Sequence, residues 1–183
     1  MKWVAAAVYR IRQMLGALWA ELQPWRLPDL GDYLNQEQQV LFQKMSRADQ
    51  RHSLAVWYAL QQVGANDPVL LQAALLHDVG KADSRIHIWQ RAGVVLLRTF
   101  APGLVERWVA ERPGDWRRPF YLYQEHPRRG AELAQAAGAS AAAVDLIREH
   151  HAPLQAAGKA NSFHDATFAR RLELLQRADG TRM

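Results

Sequence analysis

The segment that most constrains this chain runs from Asp67 to Lys81: Asp-Pro-Val-Leu-Leu-Gln-Ala-Ala-Leu-Leu-His-Asp-Val-Gly-Lys. Asp67 is a residue type that caps a helix N-terminus, and Pro68 suits the first helical position. The helix predicted over 69–79 is apolar on nearly every side, so it must be central and buried. Yet it ends in three costly residues: His77, Asp78 and Lys81. Polar and charged groups beside a buried helix need compensation. A metal ion compensates the first two, because imidazole nitrogen and carboxylate oxygen are good ligands for first-row ions. Adjacent helical residues point about 100° apart, so the two share a target only where the helix gives way, and Gly80 lets the turn open there. An isolated His-Asp pair is better read as a hydrogen-bonded helix cap, so the rest of the chain has to decide.

The rest of the chain reads as helices separated by caps. A short helix fits 35–45. Ser46-Arg47-Ala48-Asp49 has capping-box spacing and opens a helix that runs to Val63, where Gly64 ends it. Further helices are predicted over 84–100 and 104–111, and helical neighbours favour a helix over 116–125. His126-Pro127 is read as restarting a helix that ends at Gly138, Ser140 as opening one that closes at His150-His151, and Asn161 or Ser162 as capping a last helix that reaches Gly180. No alternating strand pattern, hairpin signal or internal repeat is present. The expected fold is therefore all-α, a helical bundle.

The first 24 residues carry Trp3, Val4, Val8, Ile11, Leu15, Leu18, Trp19 and Leu22, one apolar stripe of a helix. Arg10, Arg12 and Gln13 interrupt it short of the roughly 20 apolar residues that span a bilayer. The Ala5-Ala6-Ala7 run precedes the charges, which does not fit a cleavable leader. This segment is expected to dock on the domain or on a protein partner, with a membrane surface as the lesser alternative. The expected organisation is an amphipathic helix and linker over 1–30 and a helical domain over 31–183, located in the cytoplasm. The sequence contains no cysteine, which excludes disulfides and thiolate metal sites. The net charge of +5 favours anionic partners such as phosphates without identifying nucleic acid. A nucleic-acid binder is disfavoured because the basic residues are dispersed among Glu106, Glu111 and Asp115, with no basic helix or stacking motif.

Other candidate ligands are spread along the chain. His52 is in register with Val56, Leu60 and Val63, the spacings of an apolar face. A lone inward histidine is usually a satisfied core residue. His126 lies just before Pro127, where an N-terminal cap is the plain alternative. His150 and His151 close a helix, where cations favour the dipole. Asp179 is in register with Phe168, Leu172 and Leu175. An inward acid at a helix C-terminus opposes the dipole unless a cation lies nearby, and this is the best independent hint of a metal. Each signal is weak alone; five helix segments that each offer an inward or terminal His or Asp are much harder to obtain by accident.

In order and count, His52, His77-Asp78, His126, His150-His151 and Asp179 resemble the HD-domain superfamily of metal-dependent phosphohydrolases, over residues 46–180. The resemblance implies an all-helical domain with a central divalent metal site and an N-terminal helical extension. It also implies hydrolysis of a phosphomonoester or phosphodiester, above all of a nucleotide. The core ligand set would be His52, His77, Asp78 and Asp179 on one ion. His126, His150 and His151 match the members with two or more ions, where the Asp of the pair bridges. His77-Asp78-Val79-Gly80-Lys81 and the double His are also similar to the HD-GYP subgroup, which degrades cyclic-di-GMP. Its defining Gly-Tyr-Pro segment is absent, since His151 is followed by Ala152-Pro153-Leu154-Gln155. The chain is closer in pattern to stand-alone HD proteins. The pair His164-Asp165 opens a helix with no apolar helix before it and is expected to be exposed or capping. His87 either lines the pocket mouth or packs beside Trp89.

On this reading one or two ions of Mn, Fe, Ni or Mg would be held by neutral imidazoles and carboxylates. Asp78 would bridge and accept a proton from the attacking water. Lys81 would neutralise a phosphoryl oxygen, or else be a plain surface lysine at a helix end. Arg128 and Arg129, placed at a helix start, would bind phosphate. The rival is a non-catalytic module of the same fold that binds a signalling partner.

Overall fold

The computed structural model of the protein describes residues 26–82, 118–152 and 163–180. They form six α-helices and one 3₁₀ turn: α1 (Gln36–Gln43), α2 (Arg47–Gln62), α3 (Pro68–Leu76), the turn Val79–Lys81, α4 (Arg118–Ala136), α5 (Ala141–Glu149) and α6 (Phe163–Gly180). There is no strand among the described residues, in keeping with the all-α expectation. No described helix is long and apolar enough to cross a membrane. The expected helices over 1–24, 84–100 and 104–111, His87, and the loop at 158–161 lie outside the described residues.

The chain divides into two units, Leu27–Ala82 with His126–Met183, and Met1–Arg26 with Asp83–Glu125. Every described candidate site residue belongs to the first. Its centre is α3, which packs against α1, α2, α5 and α6. Leu70, Leu71, Ala73, Ala74, Leu75 and Leu76 are all buried along it, as a helix apolar on every side requires. The Asp67 side chain caps α3 by accepting from the Leu70 N–H at 3.0 Å. Arg171 of α6 donates to the same carboxylate from Nη2 at 2.6 Å and Nε at 3.2 Å. One acid therefore starts the central helix and fastens the last helix to it.

The other starts follow the same chemistry. Asn35 and Gln38 form a reciprocal capping box on α1. Ser46 accepts from the Asp49 N–H on α2, and Ser140 from the Ala143 N–H on α5; each such cap is worth about 1 kcal/mol. Gly64 and Gly138 follow α2 and α4 at φ +73° and +74°, where a side chain would be strained. The expected stops at these two glycines are the observed ones.

Two boundaries differ from the sequence reading. The central helix is α-helical only to Leu76 and not to Val79; His77 is its cap and Asp78 has left the helix at φ −99°, ψ 2°. The second difference is larger. His126-Pro127 does not start a helix but lies inside α4. A proline within a helix removes one backbone bond and costs about 3 kcal/mol. The buried stripe of His126, Gly130, Ala134 and Ala137 runs on at helical spacing through this point, and its packing outweighs the local loss.

Candidate metal centre

The end of α3 brings two ligands together by ceasing to be a helix. With Asp78 out of α-helical conformation, its Oδ2 lies 3.6 Å from His77 Nε2, a convergence that neighbouring residues of a regular helix do not reach. Both side chains are almost fully buried. Helix ends leave carbonyls without N–H partners, and this chain uses two of them to orient its imidazoles. His77 Nδ1 is 2.9 Å from the Ala74 carbonyl, and His150 Nδ1 is 2.7 Å from the Ile147 carbonyl. A carbonyl only accepts, so each Nδ1 donates and each Nε2 carries the bare lone pair toward the site.

α2 and α6 complete one side. His52 Nε2 is 2.7 Å from Asp179 Oδ1, and His77 Nε2 is 3.8 Å from the same oxygen. Asp179 reaches this position because Leu172 and Leu175, two turns and one turn earlier on its face, are buried in the core. α4 and α5 complete the other side. His126 Nε2 lies 3.3 Å from His150 Nε2, and the His126 and His151 rings stand edge to face at 4.9 Å. The result is two triads, His52 with His77 and Asp179, and His126 with His150 and His151. Within each, the ligand atoms lie within 4.8 Å of one another. Asp78 stands between them: besides its approach to His77, its Oδ1 is 3.4 Å from His126 Nε2.

The electrostatics suit ligands. Burial holds the His77 imidazole below its ordinary value, against the pull of Asp78. Burial, then the charges of His77 and His151, holds His150 well below it. His151 reaches the surface, yet partial burial of its ring beside His126 and Lys81 pushes it down to about 4. Neutral imidazole is the form that binds metal. Burial alone would raise both acids, but the neighbours win. Lys81, His77 and His126 hold Asp78 well below the carboxylate range. The His52 hydrogen bond, followed by the charges of His77 and His52, brings Asp179 to about 2. The donor set fits a cation in one further respect. His77 Nε2 is buried with no hydrogen-bond partner, a state costing about 1–3 kcal/mol unless something accepts its lone pair.

The candidates outside the triads fare differently. Lys81 Nζ lies 2.6 Å from Asp78 Oδ1 with its side chain 20% exposed, so it lies beside the candidate ligands and is not fully solvated. Arg128 and Arg129 are not at a helix N-terminus, because α4 begins at Arg118. The argument that backbone N–H groups there assist phosphate binding therefore fails. Arg128 is exposed and pairs with Glu132 at 2.6 Å, while one buried nitrogen of Arg129, Nη1, has no partner. His164-Asp165 lies in the first turn of α6, where the side chains are outside the described residues.

Sequence reasoning missed two residues, Gln176 and Gly130. Gln176 of α6 donates to the Ala152 carbonyl at 2.7 Å, next to the double His. Gly80 and Gly130 bring the turn after Asp78 against α4. Gly130 carried a readable signal, since a glycine one turn after a helical His is costly unless something approaches closely.

Residues 50–183 match the family described as HD domain. No curated protein and no solved structure matches the chain.

Proposed function

The chain belongs to the HD-domain family, and from that premise we propose that it is a phosphohydrolase whose centre takes two divalent ions. The observation that carries this reading is the position of Asp78 between two three-residue ligand sets, its two oxygens 3.6 Å and 3.4 Å from the nearest imidazole of each. His52, His77 and Asp179 would hold one ion, His126, His150 and His151 the other, and Asp78 would bridge. Five imidazoles and two carboxylates suit Mn, Fe or Ni better than Mg, which prefers oxygen.

Bound divalent ions supply Lewis-acid charge, which makes water nucleophilic near neutral pH and offsets charge on a phosphoryl group. The chain's own residues do the rest. The carbonyls of Ala74 and Ile147 fix the tautomers of His77 and His150, so both enter the site as acceptors. Asp78 is ionised at any physiological pH, which favours its role as a bridge over that of a strong base. Lys81, whose Nζ is 2.6 Å from Asp78 Oδ1, would neutralise a non-bridging phosphoryl oxygen there. The substrate class that fits is a phosphate ester, with nucleotides the first to assay.

The test is direct. Purified protein is analysed for bound metals and assayed on a generic phosphodiester and a nucleotide panel with Mn, Fe, Ni and Mg. We expect metal-dependent hydrolysis, with Asp78→Ala losing both bound metal and activity. An Asp78→Ala protein that keeps both means the site is elsewhere. Bound metal without hydrolysis across the panel means a binding module of the same fold.

A further inference from the structure

We propose that Gly80 and Gly130 are positioning residues for one of the two ligand sets only, the set His126, His150 and His151. The proposal rests on the two-ion reading above. A Cβ built on Gly80 would overlap the carbonyl oxygen of His126, and would lie 2.7 Å from the Gly130 nitrogen and 2.8 Å from the His126 carbonyl carbon. All three are backbone atoms, so no side-chain rotation relieves the contact; the turn Val79–Lys81 and α4 must separate, which draws His126 away from Asp78. A Cβ on Gly130 meets the Gly80 nitrogen at 3.2 Å and Ile147 Cγ2 at 3.3 Å, a milder version of the same conflict, while the His77 carbonyl oxygen at 3.5 Å is in ordinary contact.

The consequence for the ligands follows from where each one sits. Gly80 is two residues beyond Asp78, and Gly130 is one helical turn beyond His126. Their contact therefore sets how closely His126 approaches Asp78, now 3.4 Å between Nε2 and Oδ1. Pressure on Ile147 is pressure on α5 three residues before His150. His52, His77 and Asp179 come from α2, the end of α3 and α6, and none of them rides on α4 or α5. Separating α4 from the turn should thus empty one set and spare the other. A glycine needed only for folding would weaken both alike.

The experiment counts Mn(II) per chain and titrates each binding step in the full-length protein, for wild type, Gly80→Ala and Gly130→Ala, with circular dichroism to confirm helix content. Wild type is expected to bind two ions and Gly80→Ala one. Gly130→Ala should keep the tighter step and weaken the other about 10–100-fold, the range seen when groups that orient ligands are disturbed. Should Gly80→Ala fail to fold, Gly130→Ala decides. Unchanged binding in the folded variants, an equal loss of both steps, or a wild type that binds no more than one ion each overturns the proposal. A wild type that binds two ions and hydrolyses nothing contradicts the phosphohydrolase reading and leaves the glycine assignment standing.

Discussion

At the scale of the residue, burial holds the imidazoles of His77, His150 and His151 below their ordinary pKa, and the carboxylates of Asp78 and Asp179 are held below theirs. This makes a prediction for the metal-free protein. An unfolded histidine titrates near its ordinary pKa of about 6.5. His77 and His150 titrate below that in the folded chain, and His151 at about 4. Below pH 6.5 the unfolded chain therefore takes up protons that the folded chain does not, and stability falls as the pH falls. It should be complete above about pH 6.5 and decline toward pH 4. A second loss belongs to Asp179, whose folded pKa of about 2 lies under its ordinary 3.8, so it is confined to that lower window. Melting temperature against pH, in chelator-treated protein, should show the first decline. A flat profile between pH 6.5 and 4 would mean that these imidazoles are not buried neutral.

At the scale of the element, helix ends do most of the positioning. His77, Asp78, His150 and His151 all stand at the ends of α3 and α5, where a turn can open and a free carbonyl can fix a ring. α6 is held at its middle by Arg171 on Asp67 and delivers Asp179 eight residues later. Arg171→Ala leaves the Asp67 cap but removes the link between α6 and α3. We expect about 1–3 kcal/mol of lost stability, in line with a charged, part-buried hydrogen bond, and weaker metal binding at the His52, His77 and Asp179 set. Chemical denaturation together with metal titration checks both; stability lost without any change in metal affinity would show that α6 needs no such anchor to present Asp179. Much of this was legible in the sequence. The register 168, 172, 175, 179 places Asp179 inward because a helix repeats every 3.6 residues, and Asp67-Pro68 marks a helix start by local chemistry alone. Pro127 misled because a local rule lost to packing along α4. The Gly80–Gly130 contact left no periodic trace, since it joins backbones 50 residues apart.

At the scale of the whole molecule, one unit of the chain gathers candidate ligands from five helices and their ends into two triads, with Asp78 close to a histidine of each. The family assignment accounts for the all-helical fold. The geometry adds the arrangement on which the functional reading depends, an aspartate flanked by two groups of residues that could each hold a metal ion. The measurement that tests this most directly is the position of metal in a crystal of the full chain grown with Mn(II), located by its anomalous scattering. The account predicts two peaks about 3.5–4 Å apart, one among His52, His77 and Asp179, the other among His126, His150 and His151, with Asp78 between them. No peak at Asp78, or a single ion bound elsewhere on the surface, would contradict it.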